Sequence, residues 1–179
     1  MKTSTIELRQ EASEDHSAVF HVLKAAFRTE SNPDPEEPDL VDRLRKSHAF
    51  IPELSIVAEH QGKIVGHILL TKIKVIDGTK ESDSLALAPV SVLPAFQGQG
   101  IGGRLIEHAH EMAKAMGHQS IILLGHADYY PRFGYRQTTE FGIKMPFEVP
   151  AENCLAIELV KDGLMGVRGR VQYPSEFGI

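Results

Sequence analysis

The N-terminal part of the chain changes from strand-like to helix-like spacing of its hydrophobic positions. Polar and apolar residues alternate over Thr5–Arg9, which predicts a short, half-buried strand. From Ser13, the predicted N-cap, apolar residues recur at helical spacing as far as Phe27. Three prolines within 32–38 interrupt this spacing and predict a loop, and the apolar stripe of Leu40–Leu44 predicts a second short helix.

The segments that follow predict a sheet. Leu54–Glu59 and Ile64–Val75 are rich in β-branched and aliphatic residues and are joined by a short turn that contains glycine, so we expect a hairpin. Leu85–Leu93 is a third candidate strand, and Pro89 lies within it. Because proline cannot donate a ladder hydrogen bond, this strand is predicted to be an edge strand, bulged or locally unpaired.

A glycine-rich loop at Gln97–Gly103 separates this strand from a further helix. Apolar residues at helical spacing predict that helix over Arg104–Met116. Ser120–Leu124 then has the continuous apolar character of a buried strand, and Leu155–Val160 is the last clear strand. Strand, loop, helix and strand form a βαβ unit, which requires two roughly parallel strands.

One domain accounts for this whole pattern. The hairpin is antiparallel and the βαβ unit is parallel, so the sequence predicts a mixed α/β fold with a mixed sheet flanked by helices. A chain of 179 residues suits a single domain. We expect that domain to span 1–179, with a core at 4–160 and a C-terminal extension at 161–179, and the strand near 155–160 and the extension are candidates for pairing in a homodimer.

Composition narrows the classes of partner and compartment. Lysine and arginine number 19 against 24 acidic residues, so the chain lacks the basic face expected of a nucleic-acid binder or of a protein bound to anionic membranes. One cysteine, Cys154, cannot form an internal disulfide and suits a reducing cytoplasm. Residues 1–5 lead into a polar stretch without the apolar core of a signal peptide, so no signal peptide is predicted. No metal site is expected, since His108 and His110 point away from each other on their helix.

The glycine loop is the clearest chemical signal. Four glycines lie between a strand and a helix, where uncovered N–H groups and the positive end of the helix dipole favour a phosphate or a diphosphate. The P-loop pattern fails because no Lys-Ser or Lys-Thr follows. Gly98, Gly100 and Gly103 match the dinucleotide fingerprint, but the context does not, because Leu123 stands where an acidic ribose ligand is expected.

Two motifs together resemble a known family. Gln97-x-x-Gly100-x-Gly102, directly after Val90-x-Val92-x-Pro94, resembles the diphosphate-binding motif of the GCN5-related N-acetyltransferases, the GNAT superfamily. Downstream, Tyr129-Tyr130-Pro131-Arg132-Phe133-Gly134-Tyr135 resembles the second signature of that family, a tyrosine four residues before a glycine–aromatic pair. The order of elements is similar over about 4–160, and a subgroup of small bacterial acetyltransferases is the most similar.

The resemblance implies a site for acetyl-coenzyme A (acetyl-CoA). In the family, the strand before the glycine loop splays away from its parallel neighbour, and pantetheine lies in the gap. Carried over, the binding strand is Val90, Ser91 and Val92, and its splayed partner is Ile121–Leu124. The diphosphate would be held by the loop and the first helical turn, which comprise Gln97, Gly98, Gln99, Gly100, Ile101, Gly102, Gly103 and Arg104.

The same resemblance implies a general acid. Tyr130 matches the family's tyrosine, and a phenol can protonate the departing thiolate; its neighbour Tyr129 is rejected because adjacent residues rarely share a face. No base is dictated by the family pattern. His126, at the end of the predicted strand, is the first candidate, and His67 or a chain of water molecules is the alternative.

The predicted function is an N-acetyltransferase. It would transfer acetyl from acetyl-CoA to a primary amine by direct attack in a ternary complex, in the cytoplasm and without a metal. Two other classes stay open: a catalytically inactive acyl-CoA-binding or sensor module, and a nucleotide-binding α/β module unrelated to acyl transfer. In the family's fold the proline-rich loop borders the acceptor cleft, so the acidic residues beside it either attract a cationic amine or are simply solvated; they are Asp34, Glu36, Glu37 and Asp39.

Overall fold

A computed structural model describes residues 5–179, and the polar segment 1–4 lies outside the described residues. The three α-helices of the described chain are α1 (His16–Phe27), α2 (Glu37–Arg45) and α3 (Ile101–Ala115). Its strands are β1 (Ile6–Gln10), β2 (Phe50–His60), β3 (Lys63–Asp77), β4 (Lys80–Val92), β5 (Ser120–Leu124), β6 (Arg136–Gln137), β7 (Ile143–Lys144), β8 (Cys154–Glu158) and β9 (Gly169–Gln172). No described helix is long and apolar enough to cross a membrane.

All strands belong to one mixed sheet. Its order is β1-β2-β3-β4-β5-β8-β6, and β9 pairs with β3 and β7. Strands β1 to β4 are antiparallel neighbours. Strands β4 and β5 pair in parallel, and α3 connects them along the chain. The predicted mixed α/β fold with one hairpin and one βαβ unit is therefore confirmed.

The helices cover opposite faces of the sheet because strand side chains alternate between its two faces. Ile56 and Ile68 belong to the buried cluster that packs against α3. Val57 and Leu69, the next residues along the same strands, belong to the cluster that packs against α1 and α2. A third cluster joins the far end of β3 to β5, β8 and the C-terminal segment.

Strand β4 is central, so the prediction that Pro89 could mark an edge strand is wrong. The other two predicted features are present. A register shift opposite Leu69 accommodates Ala88 and Pro89 as a bulge, and the peptide bond between those two residues is cis. On the other side, β4 pairs with β5 only at Leu85 and Ala86. A residue without an N–H is therefore tolerated where the ladder is already interrupted.

Two predicted helix starts are wrong. Ser13 is not the N-cap of α1, because a 3-10 turn at Ser13–Asp15 precedes the helix. Asp15 is the N-cap residue of α1 but makes no capping hydrogen bond to that helix; its carboxylate instead accepts the amide of Ala12, the N-cap of the 3-10 turn, at 2.7 Å. Helix α3 begins at Ile101 rather than at Arg104, because Gly100 in the left-handed region (φ 80°) forms the N-cap and the following glycines already lie in the helix.

The C-terminal extension is integrated into the sheet. Strand β9 pairs with β3 at Lys74–Ile76 and with β7 at Ile143 and Lys144. Strand β8 lies between β5 and β6. The two segments named as candidates for pairing between subunits thus form their strand pairs within the chain.

Candidate active site

The glycine loop presents a row of amides that the protein itself does not use. The N–H groups of residues 98–103 donate to no backbone or side-chain atom of residues 5–179, and the first hydrogen bond of α3 joins the amide of Arg104 to the carbonyl of Gly100 at 3.1 Å. Gly98 and Gly100 both have positive φ, and a Cβ at either position would meet open space. The loop is therefore an open cradle at the positive end of α3.

A cavity of about 520 Å³ lies over this cradle. Val92 and the loop form one wall, and Tyr129, Arg132 and Phe133 form the other. The Tyr129 hydroxyl lies 3.3 Å from the place where a Cβ on Gly102 would stand, and the Phe133 ring lies equally close to that of Gly103. The tyrosine signature thus packs directly on the first turn of α3.

The structure brings most of the predicted loop residues to this cavity, with two exceptions. Gln97, Gly98 and the first turn of α3 from Gly100 to Gly103 line it, and the Gln97 side-chain amide donates to the carbonyl of Val92 at 3.0 Å. Gln99 is exposed outside the lining. Arg104 is also outside, and its guanidinium donates to the carbonyl of Ile6 at 3.1 Å.

A second cavity, of about 470 Å³, lies where β4 and β5 separate. Strand β4 contributes Leu87–Val90, and the end of β5 contributes Leu124–His126. Tyr129 lines both cavities, so the two are neighbours along the same side of the molecule. Val90 faces this second cavity and Val92 the first, whereas Ser91 between them is buried opposite His67.

Tyr130 lines the second cavity from an aromatic cluster. Its ring meets those of Tyr129 and Tyr135 edge to face, at centroid distances of 5.1 and 5.6 Å. The side chain is almost fully buried, and this desolvation raises the pKa of Tyr130 to about 12. The hydroxyl therefore keeps its proton at neutral pH and can donate it in a hydrogen bond.

The backbone at Gly125 makes room for this ring. A Cβ at position 125 would lie 2.2 and 2.5 Å from two carbons of the Tyr130 ring. Asn153 binds both backbone polar groups of Gly125. The Gly125 N–H donates to the Asn153 carbonyl, and the Asn153 side-chain amide donates to the Gly125 carbonyl, each at 3.0 Å. The ring position of Tyr130 thus depends on the absence of a side chain at Gly125.

The two histidines considered as bases have different surroundings. His126 is exposed and lines the same cavity as Tyr130. His67 is fully buried on the face of α1 and α2, where its Nε2 pairs with Ser55 Oγ at 2.9 Å, and burial lowers its pKa to about 4. The structure therefore brings His126 to the candidate site and leaves His67 in the interior.

A larger cavity of about 750 Å³ lies between α1 and the turn from β2 to β3. It contains neither the glycine loop nor the tyrosine signature, and part of its wall is the ion pair between Arg9 and Asp15 at 2.6 Å. Volume alone does not identify a site. The cavity over the glycine loop and the cavity between β4 and β5 are the stronger candidate site, because both sequence motifs meet there.

The comparison with protein families agrees with this geometry. The family model described as "Acetyltransferase (GNAT) family" matches residues 16–135. This range includes the glycine loop, the strands β4 and β5 that line the cavities, and the tyrosine signature. The chain belongs to the GNAT acetyltransferase family. The resemblance seen in the sequence is confirmed.

Relatives of this GNAT chain cover nearly its whole length. The uncharacterized N-acetyltransferase YjhQ of Escherichia coli K12 is 37% identical over 149 residues, which are 80% of this chain and 82% of that one. A GNAT acetyltransferase of Brucella melitensis, solved with acetyl-CoA, is 32% identical over 97% of this chain and 99% of that one, with a TM-score of 0.79. Escherichia coli YhbS, solved with CoA, covers 100% and 95% with a TM-score of 0.88, and at 22% identity it shows the shared fold.

The structure of this GNAT chain also contains site residues that the sequence reasoning missed. Arg132 lines the cavity over the glycine loop, although it lies within the quoted tyrosine signature and could have been found there. Glu37 lines the cavity at the strand separation. In the sequence it belongs to a group of four acidic residues that could attract a cationic amine, and no pattern singles it out from Asp34, Glu36 and Asp39.

Proposed function

We propose that the protein is an acetyl-CoA-dependent N-acetyltransferase of the cytoplasm, which transfers the acetyl group to a primary amine by direct attack in a ternary complex. One observation carries the proposal: the unpaired amides of residues 98–103 open into a cavity that adjoins a second cavity between separating parallel strands. A diphosphate fits the first cavity, and the second can receive the acylated end of the pantetheine arm along β4 and the acceptor amine from the side of α2. The acetyl-CoA bound to the Brucella relative supports this choice of ligand.

Each group would contribute a definable step. The neutral amine attacks the thioester carbonyl, a C–N bond forms, and the C–S bond of the tetrahedral adduct then breaks. The sulfur leaves with the bonding electron pair, stabilised by the Tyr130 hydroxyl, from which it takes a proton. Of the two protons that the ammonium loses, one passes to His126 before attack and the other returns through water to Tyr130. The net products are amide, thiol and one proton.

Replacement of Tyr130 tests this assignment. In Tyr130→Phe we expect kcat to fall by about two orders of magnitude, because a general acid contributes on that scale, while acetyl-CoA affinity is retained. Thiol release measured over a panel of primary amines gives the rate, and titration calorimetry gives the affinity. Tyr173→Phe removes the phenolic oxygen of a partly buried tyrosine that lines neither cavity and is the matched control. An unchanged kcat in Tyr130→Phe removes this residue from the mechanism.

The same assays separate the alternative functions. A thermal-shift titration with acetyl-CoA and with NAD distinguishes an acyl-CoA site from a general nucleotide site. Binding of acetyl-CoA without thiol release for any amine of the panel would favour the inactive sensor module. Preference for NAD over acetyl-CoA would reject the acetyltransferase altogether.

A further inference from the structure

A glutamate that lines the cavity at the strand separation has one carboxylate oxygen without a donor. Glu37 contributes it from the first turn of α2. Its Oε2 is buried and has no hydrogen-bond partner among residues 5–179. An ionised carboxylate can only accept hydrogen bonds, and burying it without a donor costs free energy. A donor that reaches this oxygen from the cavity would therefore satisfy it.

The other residues that line this cavity indicate what kind of molecule supplies the donor. Phe27 and Leu40 approach from the helical side, and Leu87 and Leu124 approach from the sheet, so most of the surface is apolar. No lysine or arginine of residues 5–179 lines the cavity. The negative charge of Glu37 is thus not matched by a cation of the protein, and a ligand with a cationic head and an apolar body complements both features.

We propose that Glu37 binds the ammonium group of the acceptor, and that this site selects primary amines on a short apolar or aromatic body. The inference rests on the proposed function, because it uses the cavity in which Tyr130 and His126 also lie. An amine that carries its own carboxylate beside the nitrogen would bring a second negative charge to Glu37 and to apolar walls. Free amino acids are therefore poor acceptors.

A purely structural role for Glu37 has to be separated from ligand binding. Acidic residues in the first turn of a helix are favourable because they face the positive end of the dipole, and both Glu37 and Asp39 occupy that turn of α2. Asp39 is exposed and does not line the cavity. Asp39→Asn is accordingly a matched control, since it removes the same charge from the same turn and leaves the cavity intact.

The test uses phenethylamine as the probe. It is titrated calorimetrically into the free protein and into the CoA complex, for the wild type, Glu37→Gln and Asp39→Asn, and its KM is measured by thiol release. We expect Glu37→Gln to raise Kd and KM about tenfold, the usual effect of losing a charge-assisted hydrogen bond, with unchanged CoA affinity. Asp39→Asn should stay within about twofold of the wild type. Phenylalanine should bind the wild type more weakly than phenethylamine does.

Three results would overturn the inference: equal affinities in the two variants, phenylalanine binding as tightly as phenethylamine, or no binding of phenethylamine to the wild type. Circular dichroism and melting curves verify that each variant is folded. If the proposed function is wrong, the assays fail in a different way from a failure of the Glu37 inference alone. If the wild type neither binds acetyl-CoA nor releases thiol, the titrations into the free protein still measure what Glu37 binds.

Discussion

At the scale of single residues, the position of Tyr130 depends on Gly125 more than on its own neighbours in sequence. The glycine peptide is fixed by Asn153 on both sides, so an added methyl group could be accommodated only by movement of the ring. Small displacements of a group that acts on a reacting atom have large kinetic effects. The glycine thus acts as a positioning residue for the proposed acid.

Gly125→Ala should therefore behave like the loss of the Tyr130 hydroxyl. We expect kcat to fall by about two orders of magnitude with little change in acetyl-CoA affinity. A double-mutant cycle with Tyr130→Phe checks the cause. If the methyl group acts through the hydroxyl, Gly125→Ala has no further effect on kcat in the Tyr130→Phe background. Additive losses would show that it acts elsewhere.

Arginine residues at the glycine loop differ in what their guanidinium groups contact. Arg132 lies over the Tyr129 ring, 4.8 Å from its centroid, and makes only a long contact of 3.5 Å with the Asp128 carbonyl. Arg104 is already bonded to the Ile6 carbonyl at 3.1 Å. A diphosphate in the cavity can therefore recruit Arg132 without breaking a strong interaction.

This difference predicts a contrast between two variants. Arg132→Gln should raise the Kd of CoA about tenfold, and the remaining affinity should depend less on salt concentration, because one charge on the diphosphate site is lost. Arg104→Gln should leave the Kd within about twofold. Calorimetric titration at two ionic strengths measures both. A larger effect in Arg104→Gln would return that residue to the diphosphate site.

At the scale of elements, the long segments followed from the sequence and the short ones did not. The hairpin of β2 and β3 is rich in β-branched and aliphatic residues, helix α3 has helical spacing of its apolar residues, and β5 is a continuous apolar run, and packing reinforces each pattern. Strands β6 and β7 have two residues each, and β9 has four. Such strands exist because a neighbouring strand supplies hydrogen bonds, which is a property of tertiary structure and leaves no local pattern.

The candidate site divides in the same way. Gln97, Gly100, Gly102 and Tyr130 were predicted because each stands at a fixed spacing within a contiguous motif. Glu37 is 93 residues from Tyr130 along the chain, and only the packing of α2 beside the end of β5 brings both to one cavity. The position of α2 relative to β5 depends on the loops between them, so the spacing of residues along the sequence does not predict that Glu37 and Tyr130 share a cavity.

At the scale of the whole molecule, a buried polar network connects the N-terminal segment to the sheet. Arg45 binds both carboxylate oxygens of Glu11, at 3.0 and 2.8 Å. Glu11 in turn approaches His67 Nε2 at 3.6 Å, and His16 lies at its outer edge. Burial is the main cause that lowers the pKa of His67 to about 4, with Arg45 and His16 adding to it and Glu11 opposing it.

This network predicts how stability depends on pH. The unfolded chain protonates the imidazole of residue 67 near its ordinary pKa of 6.5, whereas the folded chain does so only near 4, so acid favours the unfolded state. About 3 kcal/mol of the free energy of unfolding should be lost between those two pH values. His110, whose pKa burial also lowers to about 4, adds a loss over the same interval.

Urea unfolding across this pH range measures the effect. His67→Gln should flatten the slope of the unfolding free energy against pH by up to about 1.4 kcal/mol per pH unit, and the contribution of His110 should remain. His48→Gln, at an exposed histidine, is the control and should leave the slope unchanged. Parallel curves for His67→Gln and the wild type would contradict the assignment.

The short pairing between β4 and β5 has a consequence for the mechanics of the sheet. In the described part of the chain, the β1–β4 half is joined to the half formed by β5, β8 and β6 by two strand pairs, Leu85 with Ile121 and Ala86 with Ile122, and by a hydrogen bond of 2.7 Å between the hydroxyls of Ser84 and Ser120. Beyond that seam, the two halves are free to share main-chain hydrogen bonds with a third participant. Under the proposed function, a pantetheine arm inserted there would act as an additional, temporary strand, and we expect the sheet to be more rigid when the arm is bound.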